Sequence, residues 1–281
     1  FTPFVHKHIQ LSQYQTKLRH KLFKELDLSA VIVGSDQVWS VKYGQRLKLE
    51  DMFLRFLSKD ETIRKIAYAA SFGASEWEYN DEQTTQCVEL ISKFAAVSTR
   101  EIDGVDLCNK YLKYENVVPV LDPTLLLDKE EYLTLCKDIP TCRENLLFAY
   151  ILDTDTETLS KLKDIANANG LTLKLVSAHD DCTLSVEEWL AMFRDAKCVV
   201  TDSFHGTVFS IIFNKEFYTI ANQARGGSRF SSLLFQLSLT DRMYNSISEI
   251  EINRNIDWIN VNNKLSQLRD YSILFLKTNL S

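Results

Sequence analysis

Several protein classes are excluded by what this chain does not contain. None of its six cysteines, at positions 87, 108, 136, 142, 182 and 198, forms a CxxC pair. Cys198 and His205 stand seven residues apart, a spacing that fits no common zinc pattern. Scattered, mostly apolar-flanked cysteines read as reduced cytoplasmic thiols. No apolar run reaches membrane-spanning length, and no secretory signal pattern opens the chain. There is no surplus of positive charge: the formal net charge is −6, which argues against nucleic acid as the main partner. Internal repeats and low-complexity segments are absent too. The 281 residues, 45% hydrophobic and 25% charged, suit one large soluble domain or two medium ones. The chain begins at Phe1 rather than Met, so it reads as part of a longer product.

The most informative stretch is Cys198 to Lys215, CVVTDSFHGTVFSIIFNK. An apolar run of strand length breaks at Thr201-Asp202-Ser203, passes through Phe204, His205 and Gly206, and resumes as a buried helix pattern. A strand that turns sharply into a helix places its turn at the carboxyl edge of a parallel sheet, where open α/β proteins bind ligands. The new helix offers N–H groups to an anion. Two readings stand side by side: a ligand-binding turn with a working imidazole, and a capped helix start with a packed histidine.

Similar edges recur along the chain. Residues 1–28 carry a helical pattern through Leu18, Leu22, Phe23 and Leu26, with His6, His8 and His20 among polar neighbours on the surface. SAVIVG, 29–34, reads as a buried strand that stops at Gly34-Ser35-Asp36; Asp36 suits a helix cap, a hydroxyl-orienting group or a base. Residues 40–62 show no clear pattern. IRKIAYAAS, 63–71, is a strand ending at Ser71-Phe72-Gly73. A helix over 82–94, a strand over 95–98 running into Thr99-Arg100-Glu101, a helix over 104–112 and a strand over 117–121 ending in Asp122-Pro123-Thr124 follow.

After Pro123 and an acidic helix over 129–138, the alternation starts again. Strands are expected at 146–152, 172–176 and 217–221, and helices at 157–169, 185–194 and 229–239. Asp153-Thr154-Asp155 forms a D-x-D triplet. Such a triplet holds a divalent metal in some sugar-nucleotide enzymes, but before a helix it suits capping. A long helix over 257–280 closes the chain. Strands alternating with helices in two blocks imply an α/β protein with two Rossmann-like domains facing a cleft. The expected boundaries are 1–125, 126–256 and, for a helix packing across both, 257–281.

Taken together and in order, VIVGSDQVWS, AYAASFG, VSTREIDGVDLC, VLDPTLLL and VVTDSFHGTVFSIIFNK resemble the polysaccharide pyruvyl transferase family, as do RGGSRFSSLLFQLSL and the final helix. The resemblance covers roughly residues 20 to 280. It implies a GT-B-like fold of two Rossmann-like domains. It also implies transfer of the enolpyruvyl group of phosphoenolpyruvate onto two sugar hydroxyls, giving a pyruvate ketal and phosphate in cell-surface or capsular polysaccharide biosynthesis. The acceptor would be a sugar, a lipid-linked oligosaccharide being one form, and the setting cytoplasmic, with the inner face of the membrane as one location. No cofactor and no metal are implied beyond phosphoenolpyruvate as co-substrate. Two departures stand out: the family's usual first strand and Asn/Gly loop do not precede residue 20, and Ser203 stands where some members carry an arginine two residues before the motif histidine.

A donor with a phosphate and a carboxylate calls for arginines, whose planar fork bonds two oxygens at once. Arg100, in the family's SxRE segment, is assigned to the donor, and Arg225 and Arg229 are candidates for the cation missing at Ser203. Ser203, Gly206 and Thr207 are also expected at the donor, the last two presenting N–H groups to the leaving phosphate. His205 is the catalytic acid or base, and Asp36 the carboxylate for the acceptor, with Ser35 and Ser71 beside it. Two alternatives remain at this level: a GT-B-type glycosyltransferase using a nucleotide sugar, and a non-catalytic carbohydrate-binding relative. Fold analogy alone does not separate them.

Overall fold

Short β-rich apolar runs separated by amphipathic segments leave each strand to be covered by the helix that follows it, and the result is two parallel sheets. The computed structural model describes residues 2–9, 23, 25–42, 48–60, 62–142, 144–177, 184–221, 227–252 and 255–281. Leu18, His20, Leu22, Cys182 and Arg225 lie outside the described residues, as does most of the expected first helix, of which Thr2–His8 is described. The chain divides into two compact units: residues 1–12, 127–222 and 234–262 in one, and 13–126, 223–233 and 263–281 in the other.

One unit carries a four-stranded sheet, β1 (Ala30–Val33), β2 (Arg64–Ala70), β3 (Ala96–Thr99) and β4 (Val117–Pro119), in that spatial order and all parallel. The central strands are buried on both faces: Ile66, Ala67 and Val97 have no exposed surface. β1 was expected to be buried but is an edge strand, with Ile32 44% exposed, because among the described residues β2 is the one strand that pairs with it. The stretch without a clear pattern forms a short helix, Leu49–Met52, and a 3-10 turn, Arg55–Leu57. Its role is packing: Trp39, fully buried, stacks on Phe53 at 4.7 Å between ring centres. The helix expected over 104–112 is α-helical from Ile102 to Leu107 and widens to a π turn over Cys108–Leu112.

The other unit carries five parallel strands: β5 (Leu146–Ile151), β6 (Thr172–Ser177), β7 (Ala196–Thr201), β8 (Glu216–Ile220) and a two-residue β9 (Met243–Tyr244), in the order β6-β5-β7-β8-β9. β9 is too short to leave a sequence pattern. Leu147, Ala149, Val199, Val200 and Phe217 lie fully inside. Local chemistry sets the helix ends. Ser185 and Glu188 form a reciprocal capping box. Asp155 of the D-x-D triplet accepts the Thr158 N–H at 2.7 Å, so this carboxylate serves as a cap. Gly170, at φ +60, closes the Thr156–Ala168 helix.

The final helix, Trp258–Leu280, is grouped with the five-stranded unit up to residue 262 and with the four-stranded unit from 263. Within the latter it secures the exit of β4: Ser272 Oγ accepts the Leu121 N–H at 3.0 Å, and Arg269 Nε donates to the Leu125 carbonyl at 2.8 Å.

Gly206, in the first turn of the helix Phe204–Ile212, sits against β7. A Cβ there would lie 2.2 Å from Thr201 Oγ1. That hydroxyl is held in turn by the Tyr150 carbonyl at 2.6 Å and cannot swing aside without losing its bond. Gly206→Ala is therefore expected to destabilise the protein by about 1–3 kcal/mol, read from the urea midpoint.

Candidate functional site

Four strand exits of the four-stranded sheet gather polar groups at one edge. The β1 exit turns at Gly34, whose φ is +123 and whose added Cβ would collide with the Tyr68 carbonyl at 2.0 Å, so only glycine fits. Asp36 follows in the left-handed region at φ 54. Its carbonyl accepts the Ser71 N–H at 3.0 Å, and the Ser71 carbonyl accepts the Trp39 N–H at 3.1 Å, so the β1 and β2 exits are laced together.

Arg100 directly follows β3 and is buried, its side chain 1% exposed. Its guanidinium donates through Nη1 to Asp122 Oδ2 at 2.8 Å and through Nη2 to Asp36 Oδ1 at 3.2 Å. The two partners differ. Asp122, at the β4 exit, is itself buried and also accepts from Ser35 Oγ at 3.3 Å, Thr124 Oγ1 at 2.7 Å and the Thr124 N–H at 3.1 Å. Asp36 is 66% exposed. Arg229, nine-tenths buried in the helix Gly227–Gln236, brings Nη1 to 3.9 Å from the same Asp36 oxygen. Two buried arginines thus converge on one exposed carboxylate, while a buried aspartate balances one of them from behind. The sequence reading proposed Arg100, Arg229, Asp36 and Ser35 separately; the fold brings all four together.

Ser71, expected on the acceptor side, is not available to a sugar. It is fully buried, and its hydroxyl donates to Glu101 Oε1 at 2.9 Å. Glu101 and Asp122 were missed as site residues. Their signal lay in position: both are carboxylates set immediately beyond apolar strands, where burial is costly unless donors meet them. Glu101 is fully buried, and burial raises its carboxyl above the usual carboxylate range even though Arg100, the bonds from Ser71 and Phe72, and Arg229 oppose the shift.

In the five-stranded unit, β7 runs into the Phe204–Ile212 helix as expected, and His205 lies half-buried in its first turn. The N–H groups expected to hold phosphate are already committed. Gly206 donates to Ser203 Oγ at 3.3 Å and Thr207 to the Ser203 carbonyl at 3.0 Å. Ser203 is the helix cap, Gly206 allows close packing on β7, and Thr207 is fully buried, 2.8 Å from Thr219 Oγ1. These three residues shape the turn and present neither N–H group to a ligand. Asp202, also buried, accepts the Leu152 N–H at 2.7 Å and so ties the β5 exit to the β7 exit beside His205.

The cysteines at 87, 108, 136, 142 and 198 are free. Among the described residues, no cluster of His, Cys, Asp and Glu could hold a metal, and no helix is long and apolar enough to cross a membrane.

The family model described as polysaccharide pyruvyl transferase matches residues 2–224. No curated protein matches the chain. Among solved structures, an O-GlcNAc transferase mutant from Thermobaculum terrenum is similar at 13% identity and a TM-score of 0.37; the match covers 92% of this chain and 50% of that one. The chain thus spans about half the length of that protein.

Proposed function

Because the chain belongs to the polysaccharide pyruvyl transferase family, a family of transferases, we propose that the arginine cluster receives the anionic donor phosphoenolpyruvate. The observation that carries this is the convergence of Arg100 and Arg229 on Asp36. Asp122 keeps the buried Arg100 charge compensated at all times, whereas the exposed Asp36 is a counterion that an incoming carboxylate or phosphate can replace. Exchanging one anion for another leaves the desolvated guanidinium paired, so binding does not meet the cost of an uncovered buried charge.

In this reading a sugar hydroxyl adds to the phosphate-bearing carbon of the enol while the methylene carbon takes a proton and becomes a methyl group. A second hydroxyl of the same sugar then displaces phosphate from that carbon, closing the ketal and releasing its own proton. The proton on the methylene carbon calls for a general acid, the role that the family motif suggests for His205. Asp36, once displaced from the arginines, is an exposed carboxylate able to accept a hydroxyl proton. Phosphoenolpyruvate is a co-substrate here, and no further cofactor enters. The acceptor is a sugar of a cell-surface or capsular polysaccharide, carried on a lipid at the cytoplasmic face of the membrane.

The test is thermal unfolding with added ligands. Phosphoenolpyruvate at about a hundredfold excess over its Kd stabilises the binding-competent protein by about 2.7 kcal/mol, seen as a rise in Tm. A rise with a nucleotide sugar and none with phosphoenolpyruvate would overturn the donor assignment.

A further inference from the structure

Glu101 has no place in the chemistry above, yet it is fully buried at that sheet edge. Its Oε1 accepts two donors from the β2 exit, Ser71 Oγ at 2.9 Å and the Phe72 N–H at 3.0 Å. The Ser71 hydroxyl in turn accepts the Gly73 N–H at 3.1 Å. Ser71 also exchanges backbone bonds with the β1 exit: its N–H donates to the Asp36 carbonyl, and its carbonyl accepts the Trp39 N–H. One carboxyl oxygen therefore pins the loop that pins Asp36, and it does so from the residue next to Arg100. Its other oxygen, Oε2, is buried and has no hydrogen-bond partner among the described residues. No surface of Glu101 is exposed, so it cannot touch a ligand.

We propose that Glu101 is a positioning residue for the arginine cluster: through Ser71 and Phe72 it clamps the β1 and β2 exits so that Arg100, Arg229 and Asp36 keep the geometry in which an anion can take the place of Asp36. The role is that of an acceptor rather than a counterion. A charged carboxylate beside Arg100 and Arg229 would compete with the donor for both, and leaving one buried oxygen without a donor is costly for the ionised form. The charged and titratable groups beside it are Arg100, Arg229 and the Cys108 thiol, whose own titration is pushed up by burial and, after that, by Glu101. Burial outweighs the arginines and raises the Glu101 carboxyl. The inference rests on the donor reading above.

The experiment compares the intact wild-type chain with Glu101→Ala, Glu101→Gln and Ser71→Ala, measuring phosphoenolpyruvate and, separately, inorganic phosphate binding by calorimetry. Glu101→Ala is expected to weaken anion binding about 10- to 100-fold, with KM affected more than kcat, because two buried donors lose their acceptor and the loop moves. Ser71→Ala, which removes one of those donors, falls between Glu101→Ala and wild type. The amide oxygen of Glu101→Gln accepts both bonds and recovers binding to within about threefold of wild type. As the pH rises and Glu101 ionises, the wild-type affinity falls, and that of Glu101→Gln falls less. If Glu101→Ala does not fold, Glu101→Gln and Ser71→Ala decide the matter. Wild-type affinity in Ser71→Ala, or Glu101→Gln as weak as Glu101→Ala, overturns the clamp and leaves the donor reading standing. A wild type that binds phosphate but not phosphoenolpyruvate overturns the donor reading, and the variants then judge the clamp on phosphate. Binding of neither ligand overturns both.

Discussion

Replacing His205 with alanine is expected to lower phosphate release from phosphoenolpyruvate, with a sugar acceptor present, by about 100- to 10,000-fold, the usual cost of losing one general acid. The argument starts from position. β7 delivers the chain to the Phe204–Ile212 helix, and Ser203 caps it. Asp202 braces the turn by holding the β5 exit. His205 is held in place from both sides of its first helical turn, yet it remains half-buried rather than sealed in the core. Its neighbours Gly206 and Thr207 are spent on capping and packing, so the imidazole is the ionisable group this turn offers. The protonated imidazole is the form that donates the proton. Glutamine at this position keeps a hydrogen-bond donor but has no proton to give. His205→Gln should therefore retain donor affinity while losing turnover, a split between KM and kcat. Near-wild-type phosphate release in His205→Ala would make His205 a packing residue.

Arg100→Ala is expected to affect stability and binding together. Removing the guanidinium strands Asp122, a buried carboxylate whose pairing it supplies at 2.8 Å, and breaking such a buried pair costs about 3–5 kcal/mol. Asp36, mostly exposed, is resolvated and adds little. Chemical denaturation reads the first effect. Calorimetry reads the second: donor affinity should fall by about a hundredfold or more, since a charged hydrogen-bonded contact and its orientation are lost together. The double variant Arg100→Ala with Asp122→Asn separates the two. Neutralising the stranded aspartate should return much of the stability and none of the donor affinity. If donor affinity survives in Arg100→Ala, Arg100 is a structural ion pair and the donor site lies elsewhere.

Much of this architecture follows from local patterning. The strands β2, β5 and β7 are β-rich apolar runs bounded by polar breaks, and a strand buried on both faces needs just such a run. The helices at 81–91, 156–168, 186–195 and 258–280 have amphipathic spacing, and the first three also have side-chain caps; both are properties of neighbouring residues. For the same reason each strand exit could be recognised as an edge carrying polar groups.

What single residues do at those edges was a different question. Ser71 and Glu101 are 30 positions apart, and Asp36 and Arg100 are 64 apart. Their pairing depends on parallel register, which places β1 beside β2 and β3 beside β4. A bulge between Ala67 and Ala70, with Ala69 at φ 49, re-aims the end of β2 and carries no mark in composition. Exposure is decided there as well. Asp36 and Asp122 both stand just past an apolar run, but the first is left open to solvent and the second is enclosed beneath Ser35, Arg100 and Thr124. The sequence by itself determined which segments become strands and helices, and that arginine, histidine and carboxylates stand at the strand exits, because those depend on contacts within a turn or two. Only the tertiary structure decided that Asp36 stays exposed beside two buried arginines, that Asp122 and Glu101 are buried, and that Gly206 and Thr207 serve packing, because burial and ion pairing depend on residues far apart in the chain.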